Sequence, residues 1–262
     1  MPDSRPAEAE GRKSPVKSAD RTVELLEALA RAERWLTLAE LQRELGYPKS
    51  SLYMLLQTLM GRGWVQADPT GSAYGIGVRA LLVGTSYLDR DPIVRVAAPI
   101  LEQVRAEINE TVHLARLDGS DMVYLASRES QHHLRSTSRV GRRQPAYATA
   151  LGRAVLAIRP DAEEHIPAEL APITPQTIVD PTLLRAELDL TRLQGYAHER
   201  EQNVTGLCCF AVALPYTFPV TDALSVSVPV VRLDDDHAAQ IVAALSNAAH
   251  RIGDLLRTGA VT

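Results

Sequence analysis

The sequence has only two cysteines, and these are the neighbours Cys208 and Cys209. Adjacent cysteines have poor geometry for bonding each other, so a disulfide framework within one chain is excluded. Aromatic residues make up only 5% of the chain, too few for aromatic stacking to dominate the function. The net charge is −4, from 28 basic and 32 acidic residues. This near balance excludes a protein coated in positive charge, but it allows a local basic surface.

Long apolar runs are also absent. The first 20 residues contain none, so we expect no secretory signal peptide. The longest uncharged stretch, 202–221, includes Gly206, Pro215 and Pro219, unlike a membrane-spanning helix of about 20 apolar residues. We therefore expect no membrane span and a cytoplasmic protein.

What is present is a clear helical pattern near the amino end. Residues 1–15, rich in Pro, Glu, Ser and Ala, predict a disordered tail. A helix is predicted from Ser18, and a Thr37–Glu40 capping box opens a second helix that Gly46 ends. A third helix with a leucine face, 49–60, and a hairpin around 68–71 follow. The predicted apolar stripe of the first helix is Val23, Leu25, Leu26, Leu29 and Ala30.

Three helices and a hairpin in about sixty residues are the plan of a winged helix-turn-helix module. Residues 11–65 hold nine basic and six acidic residues, and the acids lie mostly on the first two helices. A solvated three-helix bundle or a protein-docking module is the alternative interpretation. The face of the third helix opposite the leucines has no acidic residue and consists of Ser50, Ser51, Tyr53, Met54, Gln57 and Thr58.

The rest of the chain predicts an α+β domain behind a linker helix. The linker helix, 78–88, precedes a longer helix that begins at Pro92, is capped by Asp91 and runs to about Ile108. The predicted strands are 111–117, 122–126, 207–214 and 223–228, and the predicted helices are 148–158, 180–193 and 237–257.

Strand alternation points to a polar site in this domain. Ser225 and Ser227 share one face of their strand, and Leu207, Cys209 and Ala211 share one face of the preceding strand. Two hydroxyls and a thiol that face the same way suit a small polar ligand. A sheet with one solvated face is the alternative.

Five stretches in this order resemble the IclR-type family of bacterial transcriptional regulators, and the resemblance covers nearly all of the chain after residue 15. They are VKSADRTVELLEAL, LAELQRELGYPKSSLYMLLQTLMGRGWV, RVGRRQPAYATALGRAVLA, GYAHEREQNVTGLCCFAVAL and ALSVSVPV. The resemblance implies a winged helix-turn-helix domain and a GAF-like domain that binds a small metabolite. It also implies a homodimer or homotetramer.

The resemblance places DNA contacts on the third helix. Family members often carry Arg where this chain has Met54, which can make neither the phosphate nor the guanine contact of Arg. Base contacts are expected from Ser51, Gln57 and apolar groups, and phosphate contacts from Lys49, Ser50 and Tyr53. The remaining expected DNA-binding residues are Arg12, Lys13 and Lys17, as a minor-groove arm, and Arg21.

For the effector, the resemblance implies backbone contacts from Ala150 and Leu151 to a carboxylate at a helix amino end. Side-chain contacts map to Glu199, Leu207, Cys209, Ser225 and Ser227. Glu199 stands where the family commonly has the shorter Asp, which predicts a smaller pocket or a donor-bearing ligand; a solvated loop carboxylate is the alternative.

A basic stretch lies between the predicted strands and the effector motif. Arg135, Arg139, Arg142 and Arg143 would steer an anionic effector, or would form a solvated loop or a subunit contact. His132 and His133 would line the mouth of the pocket, or lie at the surface.

The sequence thus predicts a tail (1–15), a winged helix-turn-helix domain (16–77), a linker helix (78–90) and a GAF-like effector-binding domain (91–262). The expected function is repression of a catabolic operon, with operator binding modulated by a small organic or aromatic acid. An activator of the same architecture and a sensor that docks only to proteins are alternatives. An enzyme using Cys209 and His198, or a metal site, finds no supporting motif. The expected partners are double-stranded operator DNA, the effector and further copies of the chain, with no cofactor, metal or membrane.

Overall fold

The computed structural model describes residues 16–32 and 34–258. The chain divides into two compact units, Met1–Tyr87 (unit 1) and Leu88–Thr262 (unit 2). The predicted tail, with Arg12 and Lys13, lies outside the described residues. None of the described helices is long and apolar enough to cross a membrane.

Unit 1 is a small helical bundle with a three-stranded sheet. In chain order its elements are α1 (Lys17–Arg31), β1 (Leu36–Thr37), α2 (Leu38–Leu45), α3 (Lys49–Gly61), β2 (Val65–Ala67) and β3 (Ala73–Ile76). The sheet order is β1-β3-β2, with antiparallel pairs. The fold is the predicted winged helix-turn-helix arrangement, in which the β2–β3 hairpin follows α3.

Local sequence signals account for the tight connection between α2 and α3. Thr37 and Glu40 form the predicted capping box, in which the Thr37 hydroxyl accepts from the Glu40 N–H and the Glu40 carboxylate accepts from the Thr37 N–H. A hydrogen bond from Arg34, followed by these bonds to Thr37, lowers the pKa of Glu40 to about 2. Gly46 ends α2 with φ +70°, a conformation that side chains with a Cβ rarely adopt.

The first helix differs from its predicted apolar stripe. Its buried residues are Leu25, Ala28 and Leu29, whereas Val23 and Ala30 are exposed. Val23 precedes Leu25 by two residues, about 200° around a helix, so the two side chains cannot share a face. The two-residue strand β1 was not predicted, because so short an element has no periodicity.

α4 (Val78–Arg90) runs across the division between the units, where the linker helix is predicted. None of its residues is buried. Its exposed apolar side chains include Val78, Leu81, Leu82 and Val83.

Unit 2 is an antiparallel sheet covered by helices on both faces. Its strands are β4 (Thr111–Asp118), β5 (Asp121–Arg128), β6 (Arg143–Pro145), β7 (Ala197–Arg200), β8 (Leu207–Ala213) and β9 (Asp222–Pro229). Its helices are α5 (Pro92–Ile108), α6 (Ala150–Ile158), α7 (Pro181–Gln194) and α8 (Asp235–Arg257). The strand order is β6-β5-β4-β9-β8-β7.

The two faces of this sheet have separate cores. Val112, Val226 and Phe210 pack with α5 and α8 on one face. Ala115, Tyr124 and Ala211 pack with α6 on the other. We call this second side the α6 face.

The predicted α+β architecture is confirmed, with differences at short or capped elements. Strands β6 and β7 were not predicted, since they have only three and four residues. The helix predicted from Ala148 begins at Ala150, because residues 146–148 form a separate 3-10 turn and Thr149 is the N-cap. Asp91 and Asp180 cap α5 and α7, each followed by Pro at the first helical position.

Candidate DNA-binding and effector sites

α3 offers one face to its own core and the other to solvent. Leu52, Leu56 and Leu59 are buried in the core of unit 1. On the opposite side Tyr53 is 48% and Met54 65% exposed. Lys49, Ser50 and Gln57 are exposed, and Ser51 is half-buried. The leucine face therefore fixes α3 so that the predicted DNA-contacting residues form one outer surface.

Two further predicted DNA-binding residues lie on α1. Lys17 is exposed at its first turn, so it belongs to the helix and not to the predicted minor-groove arm. Arg21 is half-buried and places its guanidinium 4.5 Å from the centre of the Tyr47 ring. The Tyr47 hydroxyl donates to Glu24. Arg21 is therefore held by a cation–π contact with the residue that immediately precedes Pro48 and α3.

In unit 2 the strand register gathers polar side chains on the α6 face. One row across the sheet pairs Glu199 with Cys209, Cys209 with Ser227, and Ser227 with Thr111. The Cys209 sulfur lies 3.3 Å from the Ser227 hydroxyl oxygen. Ser225 lies in the next row. Leu207 and Cys209 are partly buried, while Ser225 and Ser227 are almost fully buried, so the alternative of a solvated sheet face is wrong.

The amino end of α6 is tightly built. The Thr149 hydroxyl accepts from the Gly152 N–H at 3.1 Å. A Cβ on Gly152 would lie 2.2 Å from the Ala146 carbonyl oxygen, so only glycine permits this approach. Among the described residues, no acceptor bonds the N–H groups of Ala150 or Leu151, and both residues are buried. Buried unpaired N–H donors at a helix amino end favour an anionic group.

Glu199 is a buried carboxylate on β7, 2% exposed, which corrects the alternative of a solvated loop position. It accepts from the Gln202 N–H at 2.8 Å. Burial raises the pKa of Glu199, and bonds from the Cys209 thiol and the Gln202 backbone oppose that shift. The hydrogen bond from the Gln202 N–H to the Glu199 carboxylate thus closes the turn after β7.

His113 on β4 and Tyr124 on β5 belong to the same polar surface. The sequence analysis did not single them out. The His113 Nδ1 lies 2.8 Å from the Ser127 hydroxyl oxygen. Its ring meets Tyr124 edge-on, with centroids 5.1 Å apart. Burial, and to a lesser extent the charge of Arg142, lower the pKa of His113 to about 4. The signal in the sequence was alternation of Thr111 and His113 on β4, one strand from the two serines.

The basic stretch before β6 is largely exposed and partly paired. Arg135 bonds Glu129 at 2.8 Å, and Arg143 bonds Asp118 at 2.7 Å and Asp121 at 3.1 Å. Arg139 and Arg142 are exposed. The carboxylates reduce the positive field of this stretch. His133 is exposed, and half-buried His132 contacts the side-chain amide of Asn109.

The pair imagined for an enzyme does not form. His198 Nε2 lies 2.9 Å from the sulfur of Cys208, which faces the opposite side of the sheet from Cys209. Burial raises the pKa of Cys208 to about 12 and that of Cys209 well above its usual value, and a thiol in that state is a poor nucleophile. Within residues 16–32 and 34–258, no group of three His, Cys, Asp or Glu side chains is placed to hold a metal.

Comparisons with known proteins identify both domains. Residues 18–69 match the IclR helix-turn-helix domain, and residues 85–254 match the C-terminal domain of bacterial transcriptional regulator IclR. The HTH-type transcriptional regulator KdgR of Dickeya chrysanthemi is 34% identical over 91% of this chain and 79% of its own length. The transcriptional repressor IclR of Escherichia coli is 30% identical over 90% and 89%. The crystal structure of a regulator from Alicyclobacillus acidocaldarius superposes with a TM-score of 0.81 at 25% identity, covering 92% of this chain and 99% of that one.

Proposed function

Since the chain belongs to the IclR family and is a DNA-binding transcriptional regulator, we propose that it represses a catabolic operon and that a small organic acid in unit 2 modulates its operator binding. The observation that carries the DNA-binding half is the exposed, acid-free outer face of α3. The relative from Escherichia coli is itself named a repressor.

On this proposal α3 enters the major groove. Gln57 and Ser51 contact base edges, Gln57 being suited to adenine, and Met54 supplies apolar contact to thymine methyl groups. Lys49, Ser50 and Tyr53 contact phosphates, together with Lys17 and Arg21 from α1.

Substitution of the outer face of α3 tests these assignments. Gln57→Ala should weaken binding to the protein's own promoter by about 1–3 kcal/mol and relax its preference for that sequence. Lys49→Ala should weaken binding to all duplexes and reduce the slope of log affinity against log salt by about 1. Both are measured by gel-shift titration over a range of salt concentrations.

The matched controls are Gln240→Ala and Arg95→Ala, which remove exposed helical side chains of similar type from unit 2. They should bind the promoter as the wild type does. If Gln57→Ala and Lys49→Ala do so as well, α3 does not present the DNA-contacting face.

We place the effector on the α6 face of unit 2, with its carboxylate at the N–H groups of Ala150 and Leu151. Glu199, Leu207, Cys209, Ser225 and Ser227 form the surrounding wall. Support comes from the unpaired buried N–H donors and from the polar row that the strand register assembles. The side chain of Glu199, already bonded within the protein, suits a ligand that carries a hydroxyl donor.

The regulator acts on DNA in the cytoplasm as a homodimer or homotetramer, without chemistry of its own. α4 couples the effector state of unit 2 to the spacing of paired DNA-binding units. The effector can shift operator affinity only by as much as its own affinity differs between the two arrangements. Light scattering of the purified protein measures the assembly, and a monomer at all concentrations would contradict it.

A further inference from the structure

Arg153 is a buried cation that the sequence analysis did not single out. It is the only charged residue of α6 and is 0% exposed. Its Nε donates to the Tyr147 carbonyl at 2.8 Å, and its Nη2 donates to the side-chain oxygen of Gln202. Its Nη1 has no hydrogen-bond partner within the part of the chain that the structure describes. In that same part, no carboxylate oxygen lies within 4.0 Å of it.

A structural role accounts for only part of this arrangement. The two bonds that Arg153 makes tie the turn before α6 to the loop after β7. A neutral amide side chain offers two donors as well. The positive charge and the third donor remain unexplained, and burying a charge without a counter-ion is unfavourable.

The side chain runs back toward the amino end of its helix, as helical side chains do, because its Nε bonds a residue that precedes α6. Gln202, its other partner, donates its backbone N–H to Glu199. The guanidinium is therefore bonded both to the turn before α6 and to the residue whose N–H holds Glu199.

The acidic groups near Arg153 do not neutralise it by direct contact. Burial lowers the pKa of Arg153, while the more distant charges of Glu199 and Glu187 oppose that shift. Arginine stays protonated in proteins. The Nη1 group of Arg153 is therefore a positively charged donor without a described partner, near the amino end of α6. Its forked N–H groups match a carboxylate geometrically.

We propose that Arg153 binds the anionic group of the effector and makes unit 2 select carboxylic acids over their neutral analogues. This inference rests on the proposed effector site, and it assigns acid recognition to one buried side chain rather than to the surface arginines.

Calorimetry with matched acids and primary amides tests the assignment. The probes are glyoxylate, pyruvate, benzoate and 4-hydroxybenzoate, each paired with its amide. The wild type should bind at least one acid and bind its amide about tenfold to a hundredfold more weakly. Arg153→Met should lose that preference, while Arg95→Met, which removes an exposed arginine of α5 on the opposite side of the sheet, should keep it.

Arg153→Lys covers the possibility that the methionine variant does not fold. It retains the charge but not the fork, so it should keep the acid preference at about tenfold lower affinity. The inference is overturned if no acid binds the wild type better than its amide, or if Arg153→Met keeps the preference, or if Arg153→Lys abolishes it.

The same probes in a promoter-binding titration separate this inference from the proposed function. If only a neutral amide changes promoter affinity, the effector function stands and the role of Arg153 is wrong. If an acid binds through Arg153 but leaves promoter affinity unchanged, Arg153 is a ligand residue and the effector function is wrong.

Discussion

At the residue scale, most polar groups of the α6 face are buried, and burial shifts the pKa values of those that titrate. His113 is 1% exposed, and its pKa of about 4 keeps the imidazole neutral at physiological pH. The neutral ring can bond the Ser127 hydroxyl without placing a second positive charge near Arg142. His113 therefore keeps one protonation state across the neutral pH range.

This pKa predicts an acid-labile unit 2. The unfolded His113 titrates near pH 6.5 and the folded one near pH 4, so the unfolded state binds more protons between those values. Stability should fall as the pH drops through that window, by roughly 3 kcal/mol from this group alone. Urea unfolding followed by far-UV circular dichroism measures the change.

The only two tryptophans, Trp35 and Trp64, lie in unit 1, so fluorescence identifies the transition that belongs to that unit. His113→Gln should flatten the pH dependence of the other transition. His198→Gln is the matched control. Burial lowers the pKa of His198 as well, but this ring is only partly buried, so its substitution should flatten the pH dependence less than His113→Gln does. An unchanged pH dependence in His113→Gln would show that the folded imidazole titrates normally.

At the scale of elements, the close approach of α6 to the preceding 3-10 turn shapes the proposed effector site. Gly152 lies against the backbone of Ala146. The Thr149 cap bonds the third N–H of α6, and the first two have no partner among the residues that the structure describes. The site thus depends on backbone geometry as much as on its side chains.

Gly152→Ala should push the 3-10 turn at residues 146–148 away from α6. We expect unit 2 to lose about 2 kcal/mol or more of unfolding free energy, because backbone atoms cannot yield as a flexible side chain can. The effector affinity should fall with it. Denaturant unfolding and calorimetry measure the two effects.

Gly84→Ala is the matched control. Gly84 is helical, and no described atom outside its own helix lies within 4 Å of a Cβ built there, so alanine should stabilise the protein by up to about 1 kcal/mol. If Gly152→Ala is equally well tolerated, the turn can move and does not define the site.

Element prediction from the sequence worked where periodicity and caps were strong. The capping box at Thr37, the Asp-Pro starts of α5 and α7 and the leucine face of α3 are each encoded within a few residues. Strands β6 and β7 were missed because three or four residues show no period. Arg153 was missed for a different reason, because its role comes from a tertiary contact with Gln202 that no local pattern reveals. Alternation along β4 indicates which face His113 lies on, but not its contact with Ser127.

At the scale of the whole molecule, the net charge of −4 combines two different halves. Residues 1–80 hold eleven basic and ten acidic residues, and residues 81–262 hold seventeen and twenty-two. The acidity belongs to residues 81–262, whereas the outer face of α3 has no carboxylate. DNA binding must therefore come from a local surface, and salt should weaken it through release of the counterions around the contacted phosphates.

Binding of the full chain to its own upstream DNA, measured by fluorescence anisotropy across salt concentrations, tests this account most directly. The account predicts about 10³-fold or greater preference for that duplex over a shuffled one of equal composition. It also predicts a linear fall of log affinity with log salt, with a slope of about −0.9 for each phosphate contacted. Equal affinity for the two duplexes, or affinity that does not change with salt, would contradict the account.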